Sequence, residues 1–205
     1  MIRVTQISLC SFLLVGATAA RAEIEIMTGN SQAAVLGNGQ SMGILAPFPE
    51  QKVRGDTVIV QGLVRPFPLK QFGFGLRWQD SSFRSFRAND SLRGIVGSDA
   101  IYLRLISPVV GFQFETISDL SVRLSLSYFS GADVLQTENA QSQSYRGSSG
   151  YHYALGAAYR VTESNQLTLQ YSYETVAIKP NGNVIGTRLT QINPNSFLLG
   201  FTFGA

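Results

Sequence analysis

The stretch LSVRLSLSY, residues 120–128, decides the fold of this chain. Every second side chain from Leu120 to Tyr128 is apolar, and the four side chains between them are Ser121, Arg123, Ser125 and Ser127. In a β-strand, successive side chains point to opposite faces. The alternation therefore predicts a strand with one apolar face and one polar face.

The same alternation recurs along the chain, which predicts an all-β protein. We predict a first strand within residues 23–35 and seven further strands at residues 57–65, 72–78, 101–115, 120–128, 151–161, 166–177 and 197–203. The segments between them alternate in length. Long polar loops are predicted at residues 37–52, 80–99, 131–150 and 179–195, and short turns at 66–71, 118–119 and 162–165. Eight strands with this alternation predict an antiparallel up-and-down arrangement, with the long loops at one end.

Within residues 101–115 the alternation changes phase at Pro108. Ile101, Leu103 and Leu105 are the apolar positions before the proline, whereas Val110 and Phe112 are apolar after it. A bulge in one strand, or a break between two strands, would produce this change. The sequence favours a bulge at Pro108.

The first 22 residues have the pattern of a secretory signal. Arg3 precedes an apolar run, and Ala20-Arg21-Ala22 forms a cleavage site of small residues, which predicts cleavage after Ala22 and a single domain over residues 23–205. The only cysteine, Cys10, lies inside the signal, so no disulfide is predicted.

Charge and hydropathy exclude two further classes of protein. Loss of Arg3 and Arg21 leaves 14 basic residues against 13 acidic ones, so the net charge falls from +3 to +1 and no nucleic-acid partner is expected. After the signal, no stretch approaches the ~20 consecutive apolar residues of a transmembrane helix.

The polar faces of the strands indicate what the barrel encloses. They combine small residues such as Gly73, Gly75 and Ala154 with a few long charged ones. This composition suits a narrow polar interior, with the bulky apolar faces turned outward to lipid. The predicted lumen charges are Arg77, Arg104, Glu115, Arg123, Arg160 and Glu174. They would either set the ion preference of a small pore or neutralise one another in a filled barrel, and the width of an eight-stranded barrel favours filling.

With its signal, its alternating turns and loops, and the strands 120–128, 167–173 and 197–203, the chain resembles the small eight-stranded outer-membrane β-barrels of Gram-negative bacteria. The resemblance implies a closed transmembrane barrel in the cell outer membrane, monomeric, with both termini at the short-turn end. It also implies contact with outer-membrane lipid, with lipopolysaccharide and with the outer-membrane assembly machinery. The family's terminal strand usually ends in an aromatic residue, whereas here Gly204 and Ala205 follow Phe203.

Few residues suggest chemistry. His152 is the only histidine, and it shares the polar faces of neighbouring strands with Ser172 and Glu174, so a Ser-His-Glu cluster is conceivable. The lipid A deacylases, which have this fold, have a serine two residues after the histidine, whereas here that position is Ala154. No metal-ligand spacing and no cofactor motif is present.

We therefore predict a barrel that is not an enzyme and that has a structural or surface-interaction role through its four long loops. A small pore and a lipid A-modifying enzyme are the alternatives. Arg84, Arg87 and Arg93, in the second predicted loop, suggest a site for acidic lipopolysaccharide groups, but the acidic residues that flank them favour an ordinary solvated loop of mixed charge.

Overall fold

A computed structural model describes residues 20–41, 44–48, 50–66, 68–90, 94–117, 119–138, 141–179 and 187–204. The described chain forms nine strands: β1 (Ala20–Ser41), β2 (Ile44–Pro47), β3 (Gln51–Pro66), β4 (Phe72–Asp90), β5 (Gly94–Ile117), β6 (Leu120–Glu138), β7 (Gln141–Thr162), β8 (Asn165–Ala177) and β9 (Thr187–Phe203).

Eight of these strands form a closed ring. Each pairs antiparallel with its neighbour, and β9 returns to pair with β1, for example at Ile24 opposite Phe203. The short strand β2 pairs only with the end of β1. The predicted eight-stranded, up-and-down barrel is therefore confirmed.

The short turns lie at one end of the ring, as predicted. They connect β3 to β4, β5 to β6 and β7 to β8. The start of β1 lies at this end because Ala20 pairs with Pro66, and the end of β9 lies there because Phe203 pairs with Ile24. Ala20 to Ala22 belong to β1, although the sequence predicts them to be the end of the signal. Residues 1–19 of the predicted signal lie outside the described residues.

No helix in the described part of the chain is long and apolar enough to cross a membrane.

In the lower half of the barrel, next to the short turns, the arrangement of polar and apolar side chains is the opposite of that in a soluble protein. Leu169 and Tyr171 are exposed by 44% and 52%, whereas Arg123 and Gln170 are buried. Apolar residues thus face outward and polar residues face the axis, which is stable only where hydrocarbon surrounds the barrel.

The outward apolar side chains form a continuous ring, which we call the belt. It consists of the outward-facing side chains of residues 24–28, 58–64, 72–78, 106–114, 120–128, 151–161, 167–173 and 197–203, among which Thr28 alone is polar. Aromatic residues lie near both edges, with Phe74, Phe114 and Phe203 at the short-turn edge and Tyr128 and Tyr151 at the other. Such aromatic girdles mark the two membrane interfaces of a transmembrane barrel.

The far edge of the belt is sharp. On every strand of the ring, the next outward residue beyond the belt is polar: Asn30, Asp56, Asp80, Arg104, Ser130, Ser149, Thr175 and Asn195. The edge is level on two strand pairs, where Asn30 pairs with Asp56 and Asp80 with Arg104. It steps by one outward position on others, where Asp80 pairs with Val58 and Thr175 with Tyr151. Hydrocarbon therefore ends at these residues.

The strands continue well past this edge, which corrects the prediction of four long loops. β5 has 24 residues and β7 has 22, against the about 9–11 that span a bilayer. Most of the segments 37–52, 80–99 and 131–150, and the end of 179–195, belong to strands. The prediction failed because the outer face meets water beyond the belt, so polar side chains there look like those of a loop.

The bulge predicted at Pro108 is confirmed only in part: β5 is one continuous strand, and its register with β6 shifts between Arg104 and Val110, but the extra residue does not lie in β5. Inward side chains continue without a change of phase along β5, through Leu105, Ser107 and Val109. The extra residue lies in β6, where Ser130 and Gly131 both face outward and the register with β5 shifts. What changes near Pro108 is the chemistry of the interior, which is apolar above this level and polar below it.

Candidate functional site

The barrel interior is built in four layers that can be read along β1. From the short-turn end, its inward side chains are Glu23 and Glu25, then Met27, then Ser31, and finally Ala33 and Val35. Polar and apolar layers therefore alternate along the axis. The inward faces of the other strands complete each layer.

The first layer is a network of two arginines and two glutamates. Arg65 Nε donates to Glu23 Oε1 at 2.8 Å, and Arg123 Nη1 donates to Glu25 Oε1 at 2.9 Å. Arg123 also reaches Thr202 and Gln166, at 2.9 and 2.8 Å. The charges cancel, and the hydrogen bonds link five strands of the ring, β1, β3, β6, β8 and β9.

A thin apolar layer formed by Met27, Ile59 and Leu198 lies above this network. All three side chains are almost completely buried. They separate the first polar layer from the next one.

The third layer surrounds Glu174. Its Oε1 accepts hydrogen bonds from Arg77 Nη2 and, at 3.1 Å, from His152 Nδ1, and its Oε2 accepts one from Gln79 at 2.9 Å. Since a carboxylate can only accept, His152 carries its proton on Nδ1. Beside this cluster, the hydroxyls of Ser31, Thr57, Ser81 and Ser196 form a chain of hydrogen bonds. Arg77, His152 and Glu174 are all at least 98% buried.

The fourth layer is an apolar core above the level of the belt edge. Its members are Ala33, Val35, Phe48, Val53, Phe83, Phe86, Ile101, Leu103, Leu105, Phe129, Ala132, Val134, Tyr145, Val176, Ile178, Leu189 and Ile192. Phe48, just after β2, turns back over the core, where its N–H donates to Gly37 O at 3.0 Å and its ring lies 5.8 Å from that of Phe86.

One polar group within this core is fully satisfied. The Tyr145 hydroxyl donates to Gln136 at 2.9 Å and accepts from the Leu189 N–H at 3.2 Å. Tyr145 lies above the belt, and burial raises the pKa of its phenol, which therefore stays protonated. The core is thus packed as in a soluble protein.

Solved structures share this architecture, and two of them are compared with this chain. Neisserial surface protein A matches with a TM-score of 0.61 and 13% sequence identity, over 91% of this chain and 99% of that protein. The outer membrane protein OprG of Pseudomonas aeruginosa matches with a TM-score of 0.51 and 11% identity, over 91% and 98%. This chain has the fold of the small eight-stranded outer-membrane β-barrels. No protein-family model and no curated protein matches its sequence.

Not all of the predicted lumen charges of this outer-membrane barrel lie in its lumen. Arg77, Arg123 and Glu174 lie inside. Arg104 lies on the outer surface, where it pairs with Asp80 at 2.8 Å, so its prediction is wrong. It faces outward because the inward positions of β5 keep one phase through Pro108. Arg160 and Glu115 pair at 3.2 Å on the exposed short-turn rim rather than in the lumen.

The polar cluster proposed around the histidine is only partly assembled. His152 and Glu174 are in contact, but none of the hydrogen bonds of the described residues joins Ser172 to either of them. Ser172 instead lies beside Ala154 and Ser196 in the register of the sheet. Without a serine next to the histidine, the nucleophile and base of a hydrolase are not brought together.

The sequence did not single out Glu23 and Glu25, although both hold lumen arginines. Their signal was present in the alternation Glu23-Ile24-Glu25-Ile26, which places two acids on the inner face of the first strand. Arg65 and Arg123 need acidic partners in a narrow lumen, and this need points to the two glutamates of the first strand.

Proposed function

We propose that this protein is a non-conducting outer-membrane barrel without enzymatic activity, which has a structural or surface-interaction role. The observation that supports this most is the layered interior. An eight-stranded barrel is just wide enough for side chains to fill, and here two ionic layers and two apolar layers follow one another along the axis.

Closure of the pore follows from the fourth layer in particular. An ion would have to cross the apolar core that includes Leu103, Phe129 and Ile192, where it would lose its hydration without gaining polar ligands. Below that core, the charged groups already neutralise each other. The surface role then belongs to the walls that rise above the belt, which are sheet rather than flexible loop.

The surroundings of the barrel support the remaining parts of the proposal. The belt is apolar on all eight strands of the ring, which suits a monomer surrounded by lipid. Phe203, the last residue of β9, is exposed by 46%, which supports a contact with the assembly machinery.

Conductance in planar bilayers tests the closure. Purified protein, shown to be folded by its heat-dependent migration on gels, is expected to insert without producing current steps, next to a known porin as positive control. Regular current steps from the folded protein would contradict a filled interior and favour the alternative of a small pore.

Mass spectra of lipid A test the absence of enzymatic activity. Cells that express the protein and cells that lack it are expected to give identical spectra, and a His152→Ala variant should leave them unchanged. A mass shift that depends on His152 would replace this proposal with a lipid A-modifying enzyme.

A further inference from the structure

The buried side chain of Arg77 divides the third layer of the interior into two halves. Its strand, β4, lies opposite β8, the strand of Glu174, because three strands separate them in either direction around the ring. The ion pair between Arg77 and Glu174 therefore crosses the lumen. Strands β9, β1 and β3 enclose one half of the layer, and β5, β6 and β7 enclose the other.

In the half next to β1, the hydroxyl groups find partners within the protein. The Ser31 hydroxyl lies 2.5 Å from those of both Thr57 and Ser196, and the Thr57 hydroxyl donates to Ser81 at 2.8 Å. All four hydroxyls are thus hydrogen-bonded on this side of the arginine.

The half next to β6 differs, because several of its polar atoms have no protein partner. Among the described residues, Arg77 Nε and Nη1, Ser107 Oγ, Ser125 Oγ and His152 Nε2 make no hydrogen bond. All four side chains are almost completely buried. A buried polar group without a partner is destabilising, so a group of them on one side of the lumen indicates a ligand.

The register brings these polar groups around one space. Arg77 and Ser107 are cross-strand neighbours on β4 and β5, and Ser127 and His152 are cross-strand neighbours on β6 and β7. The Ser127 hydroxyl donates to the carbonyl oxygen of Pro108 at 2.6 Å, which places β6 against β5 at this level. The arginine and the histidine therefore lie at the two ends of one arc of the wall.

The wall along this arc is made of short side chains. Ser107 lies on β5, and Ser125 on β6 is directly opposite Ala154 on β7. Short side chains here leave room between the wall and the guanidinium group that crosses the lumen. The next inward residue above Ser107 is Leu105, which belongs to the apolar core, so this core covers the space.

The free hydrogen-bonding capacity in this space suits water. Arg77 Nε and Nη1 can only donate, whereas His152 Nε2 accepts, because the proton is on Nδ1. Gln79 Oε1, on the same strand as Arg77, is a further buried acceptor without a protein partner. An anion could not donate to these acceptors, and Arg77 would repel a cation. Water donates and accepts, and it occupies polar cavities of this kind in protein interiors.

We propose that the space between Arg77 and the wall formed by β5, β6 and β7 is a binding site for water molecules, which we call the hydration site. Bound water accepts from Arg77 and donates to His152 Nε2, and the hydroxyls of Ser107 and Ser125 complete the network. The inference rests on the proposed closure of the barrel, which separates this water from the bulk.

The single histidine of the chain makes the hydration site observable. Protein labelled with isotopic nitrogen only in histidine is studied by solid-state NMR in hydrated bilayers, where polarisation is transferred from water protons to the imidazole ring. The wild type is expected to show this transfer. Ser125→Val, whose larger side chain occupies the space, should lose most of it, whereas Ser125→Ala should keep it.

The matched control is Thr57→Val, which removes a hydroxyl from the same layer on the opposite side of Arg77. This variant should give the same transfer as the wild type, and Ser107→Val replaces Ser125→Val if the latter does not refold. Absence of transfer in the wild type, or an equal loss in Thr57→Val, would overturn the site. A His152 resonance that moves when chloride is removed from the buffer would show a bound anion and would also overturn it.

Conductance distinguishes failure of this inference from failure of the proposed function. If the folded wild type carries no current and shows no transfer to His152, only the hydration site is refuted. If it produces current steps while the transfer is lost in Ser125→Val alone, the closure is refuted and the water site remains.

Discussion

At the scale of single residues, the central buried ion pair is the most sensitive feature. Arg77 and Glu174 are removed from water, and Glu174 is also the acceptor for His152 and Gln79. Loss of one partner from such a pair leaves the other charge buried without compensation, whereas a pair on the surface contributes little.

We therefore expect Glu174→Gln to lower the free energy of unfolding by about 3–5 kcal/mol, since Arg77 keeps its charge. The control is Glu115→Gln, which breaks the exposed rim pair with Arg160 and should cost roughly 0–1 kcal/mol. Urea titration of the protein refolded into vesicles measures both. Similar losses in the two variants would show that burial does not determine how much each ion pair contributes to the free energy of unfolding.

Close approach of two strands makes a second single position sensitive. Gly75 on β4 faces inward, and a methyl group there would overlap the main-chain carbonyl of Gly62 on β3. A methyl group on Gly62 itself would meet nothing within 4 Å, because that glycine faces out.

Gly75→Ala should therefore destabilise the barrel by about 1–3 kcal/mol, the usual result of overpacking. Gly62→Ala, in the same strand pair, should be close to neutral. The refolded fraction of each variant, read from heat-dependent gel migration, provides the comparison. A tolerant Gly75 would mean that β3 and β4 can separate locally at no cost.

At the scale of the strand, β8 crosses from lipid to water within its own length. Its outward residues run from Leu167 through Leu169 and Tyr171 to Thr175, the first polar one. The same change occurs on each strand of the ring, so the level of the membrane is encoded strand by strand.

Arginine substitutions on β8 test this level. Leu169→Arg, near the middle of the belt, should cost about 2–4 kcal/mol, and Thr175→Arg, at its edge, roughly 0–1 kcal/mol. The two changes add the same side chain to the same face of one strand. The free energy of unfolding of both variants is measured in vesicles. Equal losses would place the membrane elsewhere on the barrel.

At the scale of the whole molecule, the protein has two surroundings and two opposite side-chain patterns. Below the edge of the belt, apolar groups face lipid and polar groups fill the interior. Above it, the outer wall is mostly polar, although Tyr102 and Leu135 are exposed there, and the interior is an apolar core like that of a soluble protein. The two parts share the same strands, so each strand reverses its pattern once.

Truncations on β5 distinguish the two parts. Leu103 is buried in the upper core, and Leu103→Ala should lower the free energy of unfolding by about 2–5 kcal/mol because a cavity remains. Ile106, on the same strand, is exposed by 65% towards lipid. Ile106→Ala should therefore lower the free energy of unfolding much less, since lipid fills the space. Chemical unfolding in one type of vesicle compares the two. A small loss at Leu103 would indicate a loosely packed upper barrel.

The sequence by itself determined the eight-stranded barrel and the direction of its lower faces. The alternation in residues 120–128 and 167–173 places Arg123 and Gln170 inside, and the short turns place both termini at one end. These features depend on the alternation of side chains between the two faces of a strand. That alternation is a local property, so it is visible in the sequence.

Only the tertiary structure decided the height of the barrel, the partners of its charges and the position of the bulge. Above the belt, water surrounds the wall and the alternation that identifies a strand reverses and weakens, so residues 131–150 resembled a loop. The partners of Arg77 and Arg123 lie across the lumen, on strands distant in sequence, and Arg104 faces outward because β5 keeps its phase through Pro108. Such contacts depend on the closure and register of the ring, which no single strand specifies.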